Sequence, residues 1–208
     1  MPRGASPACS EVDPVEVKAW RRGERQRLLT LRTGTPPAER RAWGNAIEEQ
    51  LYALLSRRPG IILGVYWPFR AELDPRPLVG RLVAEGFAAA LPVVVDRRGP
   101  LEYRLWRPGD PLVDGVWGIP VPERREVVTP QAVLAPLVGF DGDCYRLGYG
   151  GGYFDRTLAA LSLRPLAIGV GFEFSRLDTI HPQDFDVPMD LIVTEDGVSR
   201  RRDGADRP

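Results

Sequence analysis

Residues 144–158 read Cys-Tyr-Arg-Leu-Gly-Tyr-Gly-Gly-Gly-Tyr-Phe-Asp-Arg-Thr-Leu, and these residue types suit an anion site. Gly148, Gly150, Gly151 and Gly152 allow positive φ and let a ligand approach the backbone amides without a Cβ in the way. Amides of such a loop, with the positive end of a following helix, attract phosphate. Arg146 and Arg156 bracket the loop with full charges. Asp155 falls near the helix start, where a carboxylate caps the helix or holds Mg2+ beside a phosphate. The order is not a dinucleotide fingerprint, because Tyr153 stands where the last glycine would be. Nor is it a Walker loop, since no Gly-Lys-Ser/Thr follows. The alternative is a tight glycine-rich turn; the two arginines, the Tyr153-Phe154 pair and Asp155 weigh against it.

A second group lies at 66–74, Tyr-Trp-Pro-Phe-Arg-Ala-Glu-Leu-Asp. Tyr66, Trp67 and Phe69 beside Glu72 suit a flat heterocycle that stacks on rings and donates hydrogen bonds to an acid. A third is a pair of cations. Lys18 is the only lysine in a chain whose other basic residues are all arginine, and it projects from the same helical face as Arg22. A solvated cationic face is the competing reading of that pair.

The elements that must position these groups follow from periodicity. A helix is expected over 15–32, with Val17, Trp20, Leu28 and Leu31 as its stripe, and a second from about Thr35, a candidate cap, to Arg58. The apolar run 61–66 reads as a central strand that empties into the aromatic loop, the place where α/β folds bind ligands. A helix from 75 to 86, a strand at 87–95 and a hairpin partner at 101–106 come next. The stretch 117–123 is proline-punctuated and reads as irregular. Strands are expected at 132–140, immediately before the glycine loop, at 166–172 and at 191–195. The loop is followed by a helix carrying Phe154, Leu158 and Leu161.

A chain of 208 residues with 43% hydrophobic residues fits one domain, with an ordered core at about 14–198 and polar tails at 1–13 and 199–208. The 28 basic and 28 acidic residues balance, so no global field draws the chain to nucleic acid or a membrane surface. Cys9, Cys144 and the single His181 make no zinc ligand set, and His181 is assigned no role. With no apolar leader, a cytoplasmic protein is expected.

Arg-Leu-Gly-Tyr-Gly-Gly-Gly-Tyr-Phe-Asp-Arg, with Pro-Leu-Val-Gly-Phe-Asp at 136–141 before it, resembles the signature of the 5-formyltetrahydrofolate cyclo-ligases, also called 5,10-methenyltetrahydrofolate synthetases. The resemblance implies a three-layer α/β/α sandwich with a mixed, mostly parallel sheet. It also implies ATP-dependent cyclisation of 5-formyltetrahydrofolate to 5,10-methenyltetrahydrofolate, releasing ADP and phosphate, by way of a phosphorylated formyl oxygen. ATP would be the cosubstrate, Mg2+ the cofactor and a monomer the working form.

Carried onto this chain, Arg146 and Arg156 become catalytic. ATP would meet Lys18, Arg22, Arg146, Gly148, Tyr149, Gly150, Gly151, Gly152, Tyr153, Phe154, Asp155 and Arg156. Folate would meet Tyr66, Trp67, Phe69, Glu72, Trp117 and Tyr153. Asp155 and Asp190 would hold the metal, with Asp186 a competing choice. A register one residue earlier in the first helix pairs Val17 with Arg21. Phe154 in place of tyrosine and Asp143-Cys144-Tyr145 in place of a glycine depart from the pattern, and leave open a relative that binds folate or nucleotide without catalysis.

Overall fold

The computed structural model describes residues 13–201. Helix α1, Pro14–Gly34, begins where Asp13 accepts a 2.8 Å hydrogen bond from the Val15 amide. Asp13, expected in the tail, is thus the helix cap; residues 1–12 and 202–208 lie outside the description. The buried positions of α1 are Val17, Arg21, Leu28 and Arg32, so two of its four inward residues carry charge. Helix α2, Pro37–Leu55, buries Ile47, Leu51 and Leu55. Thr35 does not cap it, because its hydroxyl donates back to the Leu31 carbonyl and closes α1 instead.

Strand β1, Ile62–Gly64, leads through α3, Arg76–Ala84, to β2, Ala88–Val93, and β3, Glu102–Trp106. The stretch expected to be irregular, 117–123, contains a short strand: β4 at Leu112–Asp114 pairs with β5 at Pro120–Pro122, with a single 3-10 turn at Val116–Gly118 between them. The strand expected over 132–140 divides into β6, Ala132–Pro136, and β7, Gly139–Phe140. The chain changes partners between them: the Leu137 amide bonds to Val170, and the Val138 amide bonds to Leu147. Strand β8, Arg146–Leu147, then pairs with β7 before the glycine loop and α4, Tyr153–Ala160. Strand β9, Leu166–Val170, β10, Leu191–Thr194, and β11, Gly197–Arg200, complete the chain. Ser199 and Arg200 therefore belong to a paired strand rather than to a tail, because β10 would otherwise present an open edge.

The main sheet has seven strands in the order β11-β10-β9-β6-β1-β2-β3. Its five inner strands are parallel, and β11 and β3 are antiparallel at the edges. Alternate residues along each strand serve opposite faces. Leu63, Ala132, Leu134, Ile168 and Val193 pack with α2 and α3, whereas Ala135, Ala167 and Ile192 pack with Leu158 of α4. This is a three-layer α/β arrangement with a mixed, mostly parallel sheet.

From β1 the chain first winds toward β2 and β3, then returns to place β6 on the other side and winds toward β9 and β10. The order reverses between β1 and β6, and open parallel sheets bind ligands beyond the carboxyl ends of the strands at such a point. Leu51 of α2 is wholly buried in the core that this helix forms against the sheet. Leu51→Ala is expected to lower stability by about 2–5 kcal/mol in urea unfolding, the cost of emptying such a site; a loss below about 1 kcal/mol, as at surface positions, would show that α2 does not brace the sheet.

Candidate active site

A cavity of about 500 Å³ opens at the reversal point. Tyr66 and Trp67 enter it beyond β1, Pro92 and Val94 at the end of β2, and Pro136 at the end of β6. Its other wall is the glycine loop, residues 148–152, with Arg146 and the first turn of α4. Gly150 and Gly152 take φ of +95° and +64°, and a Cβ at Gly152 would stand 2.9 Å from Arg156 Nη1. The loop thus needs glycine for its conformation, and a side chain at Gly152 would also have to displace the Arg156 guanidinium.

Arg146 is buried, donates a 2.9 Å hydrogen bond to Asp155 and lies over the Phe154 ring. Its Nε has no partner among the described residues. The other Asp155 oxygen accepts from the Val187 amide. Arg25 donates a 2.7 Å bond from Nε to the Gly148 carbonyl and reaches beside Gly150. Burial and then the neighbouring Arg21 push its pKa down, partly offset by Asp186. Arg21 spends its own donors on the carbonyls of Ile180 and His181 and on Asp186.

On the opposite side, Glu72 has a side chain only 4% exposed. One oxygen accepts from the Phe69 amide at 2.8 Å and the other from the Tyr149 hydroxyl at 2.8 Å. Burial raises its pKa above the ordinary carboxylate value, against the opposing pull of Arg32, the Phe69 amide and Tyr149. Trp67 packs edge-on to Trp106 and beneath Arg76, and Phe69 lies against Tyr149. Trp117, with φ of +60°, remains 63% exposed and meets the Tyr153 ring across the cavity. Apolar walls with a few aimed polar groups are the ordinary form of a small-molecule site.

The structure therefore gathers Tyr66, Trp67, Phe69, Glu72, Trp117, Arg146, the glycine loop, Tyr153, Phe154 and Asp155 around one space. Four expected residues are placed elsewhere. Lys18 and Arg22 are on the solvent side of α1, because the buried stripe runs through Val17 and Arg21, the earlier register. Arg156 stands behind the loop, over the Tyr153 ring and bonded to the Gly99 carbonyl. Asp190 sits at the amino end of β10, its oxygens occupied by Arg164 and the Ala167 amide; Asp186 is the second aspartate lining the cavity. Arg21 enters from sequence only as the alternative register and Arg25 not at all, although the four-residue spacing between them is the signal available.

The family profile of the 5-formyltetrahydrofolate cyclo-ligases matches residues 17–195. The chain belongs to the 5-formyltetrahydrofolate cyclo-ligase family. It is 29% identical to the Escherichia coli K12 5-formyltetrahydrofolate cyclo-ligase over 143 residues, 65% of this chain and 79% of that one. Identity to the Mycoplasma pneumoniae 5-formyltetrahydrofolate cyclo-ligase is 43% over 63 residues, 30% of this chain and 38% of that protein. The NMR structure of Aquifex aeolicus 5,10-methenyltetrahydrofolate synthetase superposes with a TM-score of 0.77 at 29% identity, covering 90% of this chain and 96% of that one. By family the chain is a ligase of folate one-carbon chemistry. No helix among the described residues is long and apolar enough to cross a membrane.

Two outcomes follow from this geometry. A carboxyl whose folded pKa is raised lends stability below the ordinary carboxylate range and loses it as pH rises through the folded value. The melting-temperature difference between Glu72→Gln and the unaltered protein is therefore expected to move in the variant's favour from acid to neutral pH; a difference moving the other way would contradict the burial argument. Lys18→Ala is expected to leave ATP affinity within about two-fold, as for exposed positions without partners, and a loss of ten-fold or more (~1.4 kcal/mol) in a binding titration would restore the later register.

Proposed function

We propose that this chain closes 5-formyltetrahydrofolate to 5,10-methenyltetrahydrofolate at the expense of ATP. The formamide oxygen attacks the γ-phosphorus and ADP leaves, giving an imidoyl phosphate. N10 then adds to the activated carbon and gives up its proton to solvent, and departure of phosphate leaves the methenyl bridge. An amide oxygen is a poor leaving group, and phosphorylation makes it a good one.

The observation that carries this reading is the 2.8 Å bond between Tyr149 and Glu72. It joins the glycine loop, which suits a triphosphate, to the carboxylate that suits a pterin, so both reactants would meet within one cavity. Glu72 would accept hydrogen bonds from the pterin ring while Trp67, Phe69 and Trp117 enclose its faces. The loop amides, Arg25 and Arg146 would gather the phosphates. Phosphoryl transfer asks a protein mainly for positioning and charge neutralisation, and no activated nucleophile is required.

Mg2+ would enter on the nucleotide. Among the described residues no cluster of three or more His, Cys, Asp or Glu could cage it. A lone carboxylate beside phosphate and water is nonetheless its usual setting. Asp155, lining the cavity beside Arg146, fits that role, where the ion would offset phosphate charge. Asp190, outside the cavity, does not. The ligands are small molecules, and the balanced charge of the chain suits a protein working in the cytoplasm without nucleic acid.

Mixing the protein with Mg-ATP and 5-formyltetrahydrofolate should generate the absorbance of the methenyl product. Binding of both ligands without that absorbance would reduce the protein to a binding module. Arg146→Ala is expected to cut kcat by about 10²–10³-fold, the loss found on removing one donor to a developing anion. A melting curve would verify that the variant is folded, and near-normal kinetics from folded protein would remove Arg146 from the site.

A further inference from the structure

Arg32 reads as no more than the end of a helix in the sequence, yet it is 4% exposed and reaches three separate parts of the fold. Its Nε donates to the Arg70 carbonyl at 3.1 Å, and its Nη1 to the Leu137 carbonyl at 3.0 Å beyond β6. Its Nη2 donates to the Tyr149 hydroxyl of the glycine loop and lies 3.9 Å from Glu72 Oε1. That hydroxyl in turn donates to Glu72. Arg70 and Ala71, just before Glu72, both take positive φ, 48° and 60°, a conformation non-glycine residues hold only when their surroundings fix it. The bond from Arg32 to the Arg70 carbonyl is one such fixture.

We propose that Arg32 is a positioning residue, which aims Glu72 into the cleft and ties it through Tyr149 to the glycine loop. The assignment rests on the reading of Glu72 as the folate ligand. A planar guanidinium suits the task because its donors leave in several fixed directions at once, whereas an ammonium offers charge without that fork. A structural ion pair would be indifferent to the cavity; here both partners of Arg32, Glu72 and Tyr149, line it.

The charged and titratable groups around Glu72 are Arg32 from α1, Tyr149 from the glycine loop and Tyr66 beyond β1, with Arg70 and Asp74 in its own loop. Tyr66 is buried, and its hydroxyl donates to the Leu73 carbonyl. Arg32 and Tyr149 both favour the carboxylate form against burial. Removing either must raise the pKa of Glu72 further, and the acid limb of folate binding must move to higher pH.

The test compares Arg32→Met, Arg32→Lys and Tyr149→Phe with the unaltered protein. It uses the pH dependence of kcat/KM for 5-formyltetrahydrofolate, direct binding of that folate, and KM for Mg-ATP. Arg32→Met and Tyr149→Phe are expected to shift the acid limb upward. They should also weaken folate binding by roughly 10–100-fold, the range for losing a group that orients a ligand residue. Arg32→Lys, which keeps the charge and loses the fork, is expected to weaken folate binding while its acid limb stays nearer that of the unaltered protein. In Tyr149→Phe the loop amides are intact, so KM for Mg-ATP should change much less than folate affinity.

Should Arg32→Met fail to fold, Tyr149→Phe and Arg32→Lys decide the matter. If the unaltered protein turns over while folded variants keep its folate affinity and acid limb, the Arg32 assignment falls alone. If the unaltered protein neither binds nor converts folate, the proposed function falls and this inference with it.

Discussion

Three arginine–carboxylate pairs are held at the carboxyl edge of the sheet: Arg21 with Asp186, Arg32 with Glu72, and Arg146 with Asp155. Each guanidinium is largely out of water, and a buried charge stripped of its partner costs about 3–5 kcal/mol. That constraint governs the cleft. It fixes the face α1 turns inward, the distance between the glycine loop and the aromatic loop, and the approach of the 181–188 segment to the first helix. The sheet supplies a rigid floor, but the pairs give the cavity its walls.

Pairing also determines which charges are left for a ligand. Arg21 is consumed by Asp186 and two carbonyls, and Arg32 by Glu72, Tyr149 and two others. Arg25 touches only a carbonyl among the described residues, and Arg146 has an idle buried Nε. Arg156, bonded to the Gly99 carbonyl, likewise keeps a buried Nη2 without a partner among the described residues, so Arg25, Arg146 and Arg156 are the cations beside the glycine loop with donors left over. The carboxylates are likewise uneven. Asp155 and Asp186 each accept hydrogen bonds from an arginine, whereas Glu72 stands 3.9 Å from Arg32 and is bonded to the Phe69 amide and the Tyr149 hydroxyl instead.

The cost of this arrangement is visible in the backbone. Positive φ recurs at Arg70, Ala71 and Trp117 around the cavity, and again at Gly150 and Gly152. Strain in residues with a Cβ persists where the surroundings over-determine it, and such places gather at functional sites. Here the surroundings are identifiable. Arg32 holds the Arg70 carbonyl, and the β4–β5 ladder frames the turn at Trp117.

Much of the fold was legible in the chain. Apolar runs of five to nine residues marked the strands, and a 3.6-residue stripe marked α2. The glycine loop announced itself because only glycine combines freedom of φ with an unobstructed approach to the amides. Placing Glu72 and the aromatics in a ligand loop followed from the strand that delivers them. Less legible was the break in the 132–140 run, since a change of hydrogen-bonding partner leaves no trace in hydrophobicity. Nor was β11 visible, because an edge strand need not be apolar.

Sequence alone thus determined most of the elements, the glycine loop and the resemblance to the family. Tertiary structure decided which charges face the cleft. Arg21 reads as a breach in the apolar stripe of α1 until Asp186, 165 residues away, neutralises it. Lys18 and Arg22 read as the functional pair until that burial turns them to solvent, and of the two candidate aspartates only Asp186 lines the cavity. A helix offers several cationic faces of similar local merit. Which one turns inward depends on partners that only the folded chain brings near, because the energy of a buried charge is set by what it meets in space.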